Sequence, residues 1–149
     1  MSEKAKDVNP VARTKRWLAG VGAGLFLMGA ARADAIPEGI KAWFAPIQTR
    51  AMVLEDGVLR VAMKKPVVST ELFDFQVKSL CQAPLVGQRY EWGNARIERI
   101  EILNDSGQQG YALMGGRKAC SRLNGMGDAE GAAFLAQVRR EVRAGRVQE

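Results

Sequence analysis

The side chains that could do chemistry in this chain are acids, hydroxyls and cysteines, because it contains no histidine. That absence removes the Ser-His-Asp triad, the Cys-His pair and every histidine-based metal site. No metal and no cofactor is therefore expected. Paired carboxylates remain, as Glu98 with Glu101 and Glu71 with Asp74. Two acids of unlike environment can act together on a glycosidic bond, although acids at these spacings are more commonly solvated surface charges. Ser69 can be drawn as a dyad with Lys64 or Lys65, but it is better explained as a helix cap.

The basic residues carry more physical content. In Gly115-Gly116-Arg117-Lys118 a strand runs into two glycines and then a helix start. Such a corner can turn backbone N–H groups toward an anion, and Arg122 adds charge one turn on. The alternative is a sharp turn and nothing more. Arg139, Arg140, Arg143 and Arg146 crowd the C-terminal end of the last expected helix, where they suit its dipole and could meet an acidic partner or an anionic envelope component; the alternative is a solvated helix end. A loop with Arg89, Tyr90 and Trp92 could stack on a sugar or contact a protein. Otherwise Tyr90 and Trp92 plug the edge of a small core.

Cys81 and Cys120 are the two cysteines, an even number that suits one disulfide in an oxidising compartment. Closing the 39-residue separation between them would stabilise the fold by about 4 kcal/mol in the chain-entropy model. The rival readings are a reactive thiol and a zinc ligand. Both are weakened by the missing histidine.

Charge points to the same compartment. The net charge is +6, but residues 1–33 hold six Lys or Arg against two acids. The remainder holds sixteen against fourteen, so the folded part has no nucleic-acid signature and no nucleic acid is expected. Residues 1–33 have the layout of a cleaved export signal: a basic region ending at Lys15-Arg16, an uncharged run over 17–31, then Ala31-Arg32-Ala33. The run is 15 residues, shorter than the roughly 20 a bilayer span needs. If it were retained, it would be an N-terminal anchor. Thr14-Lys15-Arg16-Trp17-Leu18 resembles a degenerate twin-arginine export motif.

Several elements must position these residues. Residues 34–50 form a leader with a short helix between Pro37 and Pro46, docking through Ile40, Trp43 and Phe44. Strand formers on either side of Asp56-Gly57 predict a hairpin over 51–63. Ser69 caps a helix whose face is Phe73, Val77, Leu80 and Cys81, widened by Leu72 and Phe75, and Pro84 stops it. A strand over 97–103, with a bulge at Glu98-Arg99, turns at Asn104-Gly107 and returns over 109–114; a helical turn over 96–101 competes with it. A short helix over 117–123 carries Cys120. Asp128 caps a last helix over 129–144, with Phe134, Leu135, Val138 and Val142 inward.

The expectation is one α+β domain over 51–149: a small antiparallel sheet of about four strands in two hairpins, helices on one face, one disulfide. The expected function is that of a periplasmic or secreted, non-enzymatic binding or accessory protein. It would contact a protein or an anionic envelope component. The alternatives are an envelope hydrolase using paired carboxylates and an anchored subunit of an envelope assembly. A membrane enters only if residues 17–31 are retained.

Overall fold

The computed structural model describes residues 33–82 and 92–149 of the chain. Nearly all of the export signal, and Arg89 and Tyr90 of the contact loop, lie outside the described residues.

Asp56-Gly57 forms the hairpin turn the sequence predicts. Their φ values of 49° and 74° are those of a type I′ turn, joining β2 (Thr49–Glu55) to β3 (Val58–Met63). Along β3 the burial alternates, with Leu59, Val61 and Met63 inward. A second hairpin joins β4 (Arg99–Leu103) to β5 (Gln109–Met114). Asn104 holds its turn, its Oδ1 accepting the Ser106 hydroxyl and the N–H groups of Gln108 and Gln109.

Between the hairpins runs α2 (Thr70–Gln82). Ser69 caps it by accepting the Leu72 N–H at 3.2 Å. The helix carries the chain back so that β4 lies parallel to β3, Val58 opposite Arg99 and Ala62 opposite Leu103. Both hairpins therefore belong to one mixed sheet. The sheet has seven strands in chain order, not about four, and is not purely antiparallel. Its extra strands are β1 (Ala33–Asp34), β6 (Arg139–Arg143) and β7 (Arg146–Val147).

β6 replaces the second half of the expected last helix. That helix, α4, covers only Asp128–Val138, with Gly127 rather than Asp128 at its N-cap. Arg139 to Arg143 then pair antiparallel with β5, whose outer edge would otherwise be bare. Ala144 and Gly145, at φ 50° and 70°, turn the chain into β7. Arg139, Arg140 and Arg143 therefore sit on a strand, not on a helix end.

Two further local expectations change. Glu98 lies before β4, which pairs with both neighbours from Arg99 onward without a register shift; the Glu98 and Arg99 N–H groups both bond the Gly57 carbonyl. The helical turn over 96–101 is likewise absent. Phe75 is 65% exposed and does not widen the inner face of α2. It lies two residues from Phe73, about 200° round the helix, and Gln76 is buried instead.

All four described helices give side chains to one core on one sheet face. Ile40 and Phe44 come from α1 (Glu38–Phe44), Phe73, Val77 and Leu80 from α2, Leu123 from α3 (Gly116–Leu123), and Leu135 from α4. Each such side chain contributes about 1.5–3 kcal/mol by leaving water. The smaller cluster of Leu103, Ala112 and Val142 draws only on strands and lies on the opposite face. Cys81 and Cys120 are bonded, Cα atoms 4.8 Å apart, which ties the last turn of α2 to α3. No described helix is long and apolar enough to cross a membrane.

Candidate functional site

The corner between β5 and α3 is built by close backbone approach. Gly116 has φ 43°, and a Cβ there would collide with the Ile97 carbonyl oxygen and reach the Glu98 carbonyl carbon at 2.7 Å. Only glycine fits. The contact is also a bond: the Arg117 N–H donates to the Ile97 carbonyl at 2.9 Å. The N–H groups of Lys118 and Ala119 donate to the Gly115 carbonyl. The first-turn donors of residues 117–119 are thus occupied, so attraction for an anion at this corner comes from side chains.

Those side chains surround a hollow of about 550 Å³, within the size range of ligand pockets. Arg117 and Lys118 line it from α3 together with Ser121, and Gly115 lies at its edge. Arg96, Ile97 and Glu98 form the other wall. Three cations thus meet one acid. Arg96 is paired with Glu98 at 2.6 Å, both side chains more than half exposed. Arg117 donates from Nη1 to the Gly93 carbonyl at 2.8 Å. Lys118 makes no ion pair among the described residues. Arg96 went unnoticed in the sequence, since nothing local marks a residue brought to α3 by the Arg117–Ile97 bond.

Four other basic residues are engaged elsewhere. Arg122 stacks on Phe134, its guanidinium carbon 4.7 Å from the ring centroid. Arg139 makes two 2.7 Å bonds to the Asp74 carboxylate and lies over the Tyr111 ring at 5.7 Å. Arg143 pairs with Glu141, and Arg140 donates to the carbonyls of Gln137 and Arg139. Trp92 is a core side chain, 7% exposed, and not an open contact.

Neither acid pair is left free for acid–base work. Glu98 stands exposed against Arg96. Glu101 is 3% exposed, on the helix-free sheet face, between Arg60 at 3.0 Å and Arg99 at 2.8 Å. Asp74 holds Arg139. Hydrogen bonds from its own backbone N–H and from the side chains of Ser69 and Thr70, with the charge of Arg139, hold the Glu71 carboxyl below its ordinary pKa. Glu71 therefore stays ionised, which is the wrong state for a general acid near neutral pH.

Comparison of the chain with known protein families, with curated proteins and with solved structures finds no match in any of the three.

Proposed function

We propose that this chain is a small exported, disulfide-stapled binding protein without enzymatic activity. It holds an anionic group of a protein or envelope component in the cleft between α3 and residues 95–98. The observation that carries the reading is the cleft itself, in which Arg96, Arg117 and Lys118 face about 550 Å³ of open space against Glu98 alone. Attraction of this kind steers an acidic partner and sets its orientation.

Three further features support it. The Cys81–Cys120 bridge suits an oxidising compartment. The export layout of residues 1–33 leads to the same compartment. The carboxylates that a hydrolase would use are each committed to an arginine or held ionised.

Chemical cross-linking in the native envelope tests the reading. The Arg117→Glu/Lys118→Glu variant is expected to lose its cross-linked partner while its melting temperature stays nearly unchanged, since exposed changes cost within about 0.5 kcal/mol. Undiminished cross-linking by a folded double variant would overturn it.

A further inference from the structure

The cleft beside α3 contains an anion of its own. Arg96 grips one oxygen of the Glu98 carboxylate with two donors, Nε at 2.8 Å and Nη2 at 2.6 Å. We propose that Glu98 is an internal competitor for the ligand. It occupies Arg96 until an incoming anion displaces it, and so sets how much charge a ligand must bring. This rests on the reading of the α3 cleft as a binding site and extends it to how that site selects.

Glu98 is held in place from three sides. Its N–H donates to the Gly57 carbonyl at 2.8 Å. Its stem lies against the Asp56-Gly57 turn, where a Cβ on Gly57 would meet Cγ and Oε2 at 3.5 Å. Its carbonyl carbon faces Gly116, at the corner that admits only glycine. Fixed backbone thus delivers the carboxylate to the cleft. Arg96 is the looser partner, with 79% of its side chain exposed. An anion tethered two residues from its cation acts at high effective concentration, so it outcompetes a lone carboxylate from solution.

The same contact is easy to open. Both side chains are more than half exposed, and a pair this wet contributes little to stability. Arg117 and Lys118 stand on the opposite wall. A ligand whose charge reaches Lys118 and Arg96 together gains two cations for the one pair it breaks. A singly charged ligand has no such surplus. The cleft therefore favours clustered negative charge over single charges.

The experiment is a double-mutant cycle read by fluorescence anisotropy at low ionic strength. The probe is an amidated tetraglutamate peptide with an uncharged dye. The proteins are wild type, Glu98→Gln, Arg96→Gln, the double variant and Lys118→Glu, each checked for an unchanged melting temperature. Glu98→Gln should bind roughly tenfold tighter than wild type, from one pair no longer broken and one repulsion removed. A gain separates this role from a structural one, because a damaged cleft binds worse. In the Arg96→Gln background the same change should gain only about threefold, since the repulsion is removed but no arginine is released. Equal gains in both backgrounds, or no gain in either, would overturn the competitor; the cleft reading stands if Lys118→Glu still loses the probe. Binding by Lys118→Glu equal to that of wild type would overturn both.

Discussion

Replacing Cys81 and Cys120 together by alanine should leave a protein that folds but melts far lower. The bridge closes a separation of 39 residues. Fixing those ends in the unfolded chain removes conformational entropy equivalent to about 4 kcal/mol, from a total stability of about 5–15 kcal/mol. For a domain of this size each kcal/mol moves the midpoint by roughly 3–6 °C, so the drop should be about 12–24 °C. Both sulfurs are buried between α2 and α3, and truncation adds a small packing loss to the same sign. The site should suffer too, since α3 carries Arg117 and Lys118. The assay is a thermal melt of wild type and variant, with and without reductant. Reductant should lower the wild type to the variant's midpoint and leave the variant unmoved. A midpoint shift of only a degree or two would refute the entropic reasoning and the role of the bridge.

Gly116→Ala should destabilise by more than about 2 kcal/mol, because it forces a Cβ into the Ile97 carbonyl at positive φ; chemical denaturation measures it. Arg139→Ala should cost about 1–2 kcal/mol by removing both bonds to Asp74, seen as a lower denaturation midpoint. Phe75→Ser should change the midpoint by less than about 0.5 kcal/mol, since the ring is mostly in water. Glu71 has a depressed folded pKa, so its contribution is present above its ordinary value of 4.5 and is lost as pH falls through the folded one. Melts of Glu71→Gln across acid pH should therefore show a flatter acid limb than wild type.

What the sequence revealed was local. Asp56-Gly57 demands a type I′ turn and formed one. Phe73, Val77, Leu80 and Cys81 repeat at helical spacing and face the core, bringing Cys81 to Cys120. The return strand over 109–114 also stands where its pattern put it. What stayed hidden depends on distant partners. Phe134, Leu135, Val138 and Val142 keep a helical period across Arg139, so nothing local marks where α4 ends. The free edge of β5 decides it. The parallel register of β3 and β4 is set by the α2 crossover, which no pattern in either strand records. The candidate site divided in the same way. Arg117 and Lys118 were legible as charges after two glycines. The tight approach of Ile97 that explains the glycines was not, nor was the recruitment of Arg96.

The most direct test of the central claim is site-specific photo-cross-linking from two exposed or half-exposed positions. One probe replaces Ser121, inside the cleft. The other replaces Ala62, on the helix-free face of the sheet. In native envelopes the Ser121 probe is predicted to give a defined adduct, abolished by Lys118→Glu, with none from Ala62. An adduct from Ala62 alone, or one from Ser121 indifferent to Lys118→Glu, would contradict the account.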